Sequence, residues 1–305
     1  MKFIRSVPMA ICGLALSIAA LGNILRPFGD NFRYFCGIVS AAILVVFVLK
    51  IILDFPHVRE ELKTPMPLSV LPTSTMALML LTIYFRPYLG IAAVCIWYAA
   101  VAAHIFIMLL FIKRFVMDFR IETVFPTWFV AFVGIVTVSV TAPAMGAVLL
   151  GQMAFYFGFI MYFIALVLIV CAMKINRILP EPARPTIAIF TTPMSLCIVG
   201  YFSSFELRND YLIYIMLAIA AASYLYVSVM MFIDLLHIKF YPTFAAFTFS
   251  YVISADAFRI GSTYFAEREV YFFDTIAQVT MWIAVAIVLY VIYHYIRFFI
   301  WWLKF

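Results

Sequence analysis

The chain has 305 residues, 68% of them hydrophobic and 11% charged, with a net charge of +6 and a mean hydropathy of +1.14. Soluble domains carry about 25% charged residues, so this composition excludes a water-soluble enzyme and makes lipid the solvent. A basic face on anionic lipid accounts for the positive charge without a nucleic-acid partner.

A membrane-crossing helix needs about 20 apolar residues. Runs of that kind lie at 8–26, 34–53, 67–85, 88–112, 126–148, 150–173, 185–204, 211–233, 242–260 and 272–299. They are continuous and too long for the alternating strands of a barrel. Pro8, Pro67, Pro126, Pro185 and Pro242 open alternate runs, at steps of 59, 59, 59 and 57 residues. The spacing predicts an all-α integral membrane protein of ten transmembrane helices, with one helical hairpin repeated five times. Nothing between the runs is long enough for a soluble domain, so residues 1–305 read as a single transmembrane domain.

Tight turns are expected at Arg86–Pro87 and at Pro143–Gly146. The segments 54–66, 113–125, 174–184 and 234–241 read as charged links on the opposite side, and 261–271 as the longest turn. Of the 20 Lys and Arg, the side of the turns holds only Arg26, Arg33, Arg86, Arg208, Arg259 and Arg268. The rest, from Lys2 and Arg5 through Arg177 to Lys304, fall on the side of both termini. Lys and Arg mark the cytoplasmic face, so both termini are expected in the cytoplasm.

The odd runs carry small and hydroxylated residues: Gly13 and Ser17, then Pro72 and Thr75, then Gly134 and Thr137, then Thr192 and Pro193, then Ser250. The even runs are greasier. Bulk apolar side chains suit lipid, while small and hydroxylated ones suit close packing or a wet lumen. The odd helices are therefore expected as an inner ring around a central pore. Pro72 and Pro193 lie well inside their runs and are the expected kinks.

Catalytic signals are weak: no HExxH, CxxC, Walker A or GxGxxG stands in the chain. The cysteines Cys12, Cys36, Cys95, Cys171 and Cys197 have no metal-ligand spacing, so neither metal nor cofactor is expected. His104 stands alone in the fourth run. Asp256 and Arg259 are three apart in the ninth run and share a helix face. They are expected at the outer mouth, either as an anion-attracting pair or as a boundary salt bridge.

The ninth run contains Ala246-Phe247-Thr248-Phe249-Ser250. This stretch resembles the ninth-helix signature of the tellurite-resistance/dicarboxylate transporter family, the bacterial TehA-type proteins related to plant slow-type anion channels. Residues 9–23, 71–76 and 179–193 resemble the same family's first, third and seventh helices. The chain departs from it at Ser250, where many members have Gly or Pro.

The resemblance implies ten helices as five hairpins with quasi-five-fold symmetry. It also implies a homotrimer in a bacterial inner membrane, with one pore per subunit. It assigns Phe249 as the gate and makes Gly13, Ser17, Pro72, Thr75, Gly134, Thr137, Thr192, Pro193, Phe247 and Ser250 pore-lining candidates. The function it implies is an anion channel or channel-like transporter for small or organic anions. The alternative is a proton-coupled carrier of C4-dicarboxylates, with tellurite or drug resistance as a secondary phenotype.

Overall fold

The computed structural model describes residues 2–176, 179–234 and 237–304. Among these, every regular element is a helix. The first two runs fold as α1 (Ile11–Ile24) and α2 (Asp30–Leu53). The third divides into a short helix, Pro65–Val70, and α3 (Pro72–Leu89), followed by α4 (Ile91–Phe111). The fifth divides into Trp128–Val133 and α5 (Val136–Met145), followed by α6 (Val148–Asn176). A 3-10 segment, Glu181–Thr191, leads into α7 (Thr192–Ser204), and α8 (Asp210–Ile233) comes next. A 3-10 turn, Pro242–Phe244, leads into α9 (Ala245–Ala266), and α10 (Phe272–Lys304) ends the chain.

The expected kinks take the form of joints. Pro72 and Pro193 each sit in the first turn of their helix, where the missing N–H has no intrahelical partner to lose. The residue before each proline keeps right-handed helical backbone, Leu71 at φ −50°, ψ −37° and Thr191 at φ −77°, ψ −24°. The fifth run breaks without one, at Gly134–Ile135.

Three expected connections are corrected. Helix α3 runs through Pro87 to Leu89, and the chain reverses at Gly90 instead. Pro87 lies in the last turn and withholds one i→i−4 hydrogen bond there without ending the helix. The turn expected over 261–271 shortens to 267–271, because α9 continues to Ala266. That extension is pinned by Tyr264 Oη donating to Asp210 Oδ1 at 2.5 Å, and by Arg268 Nη2 to the same oxygen at 3.1 Å. The link 54–66 contains a helix, Phe55–Glu61, with Pro56 in its first turn. Arg177 and the side chains of Lys2 and Lys304, which the charge balance places on the side of the termini, lie outside the described residues.

Burial separates the elements into two classes. Among the described residues, eight helical segments are long and apolar enough to cross a membrane. Three of them are mostly buried: Pro65–Leu89 at 72%, Trp128–Met145 at 78% and Glu181–Ser204 at 83%. The other five, α2, α4, α6, α8 and α10, are only 22–39% buried over their most apolar windows. Helix α1 is apolar and buried but has 14 residues. Helix α9 has 22 residues, and Thr248, Ser250, Ser254, Asp256 and Arg259 dilute its apolar character. Each inner element packs on the next: α1 on α3, α3 on α5, α5 on α7, α7 on α9, and α9 back on α1. The exposed helices lie outside this cycle and turn large apolar side chains such as Ile38, Phe106, Leu149 and Leu225 outward. Lipid-facing surface has no reason to be polar, and burial of the small residues lets the inner backbones approach.

Glycine placement shows how close that approach is. A Cβ on Gly134 would lie 2.4 Å from the Val130 carbonyl oxygen, 2.9 Å from Met76 Sδ and 3.2 Å from His104 Cε1. A Cβ on Gly13 would meet nothing nearer than Ala245, at 3.6 Å. Gly134→Ala is therefore expected to cost about 1–3 kcal/mol by overpacking, while Gly13→Ala stays near wild type. Thermal unfolding of the two variants in detergent measures the difference.

Candidate conduction path

All five inner elements contribute to one central cavity of about 60 Å³. A site needs about 10–15 Å³ on this measure to hold a water, so the space admits a few waters. Its wall repeats with the proline period. Thr127, Thr186 and Thr243 stand one residue after their prolines; Val130, Ile189 and Ala246 stand four after. Val133, Thr192 and Phe249 follow at seven, and Gly134, Pro193 and Ser250 at eight. Steps of three and four residues keep each set on one helix face. Ala10 and Gly13 from α1 and its lead-in, Val70, Thr73 and Met76 from the third run, and Phe129, Leu196 and Ala245 complete the wall.

Hydroxyl groups join neighbouring elements at the same period. Ser69 Oγ donates to Thr127 Oγ1 at 2.7 Å, 58 residues away. Ser139 Oγ donates to the Gly200 carbonyl at 2.9 Å, 61 residues away. Between α7 and α9, the hydroxyls of Thr192 and Ser250 bond at 2.7 Å, and those of Ser195 and Ser254 at 3.1 Å. Thr191 Oγ1 also reaches the Ser250 carbonyl, at 3.3 Å. Points one or two positions from equivalence in successive repeats therefore touch, and much of the hydroxyl content of the odd runs holds helices together.

The structure places the expected site residues in two groups. Gly13, Gly134, Thr192, Pro193, Phe249 and Ser250 line the cavity. Ser17, Pro72, Thr75, Thr137 and Phe247 stand outside its wall. Ser17 is fully buried and donates to Leu14 O of its own helix at 2.9 Å. Pro72 supplies its carbonyl to Thr75 Oγ1 at 2.7 Å. The Thr75 hydroxyl also bonds His104 Nδ1 of α4 at 2.8 Å, which turns it away from the axis. Thr137 Oγ1 is buried without a hydrogen-bond partner. Phe247 faces outward, its ring 5.7 Å from Phe244 and 6.2 Å from Tyr251.

Phe249 differs from its neighbours. It is 7% exposed, and among the described residues no other ring packs against it. Helix α9 passes through Ser250 unbroken, so the serine makes a cross-helix hydrogen bond where a Gly or Pro would favour a kink. Asp256 and Arg259 do pair, with Arg259 Nε and Nη2 donating to Asp256 Oδ1 at 3.0 and 2.7 Å. Arg259 is 47% exposed, and the pair lies on α9 beyond the cavity.

Sequence reasoning missed a buried charge at the other end. Lys50, in the last turn of α2, has no exposed surface. Its Nζ donates to the Val7 carbonyl at 2.7 Å and to both Glu61 oxygens at 2.9 Å. His57 Nε2 also contacts Glu61 Oε1, at 3.1 Å. This cluster ties the residue before Pro8 to the short helix Phe55–Glu61. A lone Lys ending an apolar run, with Glu61 eleven residues on, is the only sequence signal for it.

A sequence profile of the SLAC1 family, described as voltage-dependent anion channel, matches residues 4–296. The comparison with curated proteins returns no match.

Proposed function

The chain belongs to the SLAC1 family of voltage-dependent anion channels, and on that premise we propose that its central cavity is a segment of an anion path closed by Phe249. Family membership makes it a multi-pass membrane protein of anion transport. The observation that carries the finer reading is the repeating wall: Phe249 occupies the position held by Thr192 and Val133 in the two preceding repeats. An apolar ring there excludes water from a narrow passage, and an ion must shed hydration to pass it. Among the described residues the ring has no aromatic partner to hold it, which suits a group that changes rotamer. The wall has no carboxylate, and it offers hydroxyls as weak donors to an anion.

The rest of the reading follows from the repeat and from the resemblance of residues 246–250 to TehA-type proteins. The full chain forms one domain of ten spans, arranged as five hairpins with quasi-five-fold symmetry around the path. Three copies assemble, each with its own pore, in a bacterial inner membrane, with both termini cytoplasmic. Anion efflux from proteoliposomes tests channel against carrier. The rate is expected to rise with the anion gradient without saturating and to ignore an imposed proton gradient. Saturation together with proton dependence would identify a carrier.

A further inference from the structure

The back of α9 lies between α8 and α10, with Phe244 and Phe247 3% exposed and Tyr251 fully buried. Helix α8 packs chiefly on α7 and the Glu181–Thr191 segment, and it is the least buried span, at 22%. A groove therefore runs between α8 and α10 with α9 as its floor. One end is a crevice of about 250 Å³ lined by Leu217, Ala221, Phe258, Phe265 and Ile276. The other is a crevice of about 310 Å³ lined by Met231, Phe244, Phe247, Ala286 and Tyr290. Between them Tyr224 pinches the groove, its ring 5.0 Å from Tyr251 and 5.4 Å from Phe258. From Phe244 to Phe265 the floor extends about 31 Å at 1.5 Å per residue, matching a hydrocarbon core of about 30 Å. The first crevice sits on the floor from Phe258 to Phe265 and the second from Phe244 to Phe247, so the two lie towards opposite ends of it, one in each leaflet.

We propose that this groove is a lipid site, taking one acyl chain from each leaflet. Its lining is almost wholly apolar and continuous with the exposed apolar faces of α8 and α10, which include Leu225, Val229, Ile283 and Leu289. A hydrocarbon chain is what the surrounding phase supplies, and a vacant apolar crevice forfeits dispersion contacts on one side. The inference does not depend on the conduction reading. The floor nevertheless belongs to the same stretch of α9: Phe247 lies in the groove and Phe249 in the cavity wall.

Ala221 and Ala286 line the groove and are exposed, so a tryptophan at either fills a crevice without entering the core. The test reconstitutes wild type, Ala221→Trp, Ala286→Trp and the double variant in phosphatidylcholine vesicles. Retained lipids are then counted by native mass spectrometry after mild detergent extraction. Leu149→Trp, on α6 and 72% exposed in the wild type, is the control. Each single variant is expected to lose one lipid relative to wild type, the double variant to lose both, and the control none. Equal counts in all variants would overturn the site. So would a change in the number of chains per particle with lipid unaffected, because a second copy would then fill the groove. If a tryptophan variant does not fold, Ala286→Leu reads the same loss.

Discussion

Phe249→Ala is expected to raise anion conductance about tenfold or more. The ring stands in the wall of a 60 Å³ cavity, and removing it widens the passage where it is narrow and apolar. A conduction barrier lowered by about 1.4 kcal/mol gives a tenfold rate, and an apolar constriction that gates by keeping water out is a barrier that loss of the ring lowers. Folding should survive, since among the described residues the ring has no aromatic partner and α9 is held by Ser250, Ser254 and Tyr251. Phe247→Ala is the matched control: it deletes an equal ring two residues away that faces the groove. Unchanged conductance in a well-inserted Phe249→Ala, or an equal rise in Phe247→Ala, would count against the gate.

Lys50→Met is expected to destabilise the protein by about 3 kcal/mol. Breaking a buried pair from one side costs about 3–5 kcal/mol, because the remaining charge keeps its burial and loses its partner. The lower end applies here, since the Glu61 side chain retains 24% exposure. Lys50→Met with Glu61→Leu should recover much of the loss, because apolar replacement of both partners is often neutral. Thermal unfolding in detergent at constant lipid content measures both variants. Equal losses in the single and double variants would show that the pair holds nothing beyond its packing. The effect bears on the path as well, because Lys50 fixes the Val7 carbonyl and Ala10, three residues on, lines the cavity.

The proline period was the most legible feature of the sequence, and the hydrogen bonds explain why. Ser69 to Thr127, Thr192 to Ser250 and Ser195 to Ser254 are all 58 or 59 residues apart. A repeat in sequence became a repeat of contacts. The apolar runs were equally legible, because lipid exposure demands uniform surface over a full span. Hydroxyl direction was not. Thr75 and Thr192 look alike in sequence, yet one turns to His104 and the other to the cavity wall. Thr75 bonds a ring on another helix, and nothing along its own run marks that partner.

The break at Gly134 was hidden as well: a Cβ there would first meet the Val130 carbonyl of its own run, and then Met76 and His104 on other helices. The short α1 and the polar α9 fall outside the helices that length and hydropathy mark as spans. Both are inner elements, which meet protein more than lipid and can be short or polar without penalty. Lys50 was the opposite case. A charge at a run's end is usually interfacial, and only the fold of the Phe55–Glu61 helix back over it brings Glu61 within reach.

The path itself is tested most directly by reversal potentials of Phe249→Ala in planar bilayers. Anion and cation gradients are varied separately, with wild type beside it. The expected reversal potential follows the anion gradient and ignores the cation gradient, with larger currents in the variant. A reversal potential that follows the cation gradient would contradict an anion path through this cavity.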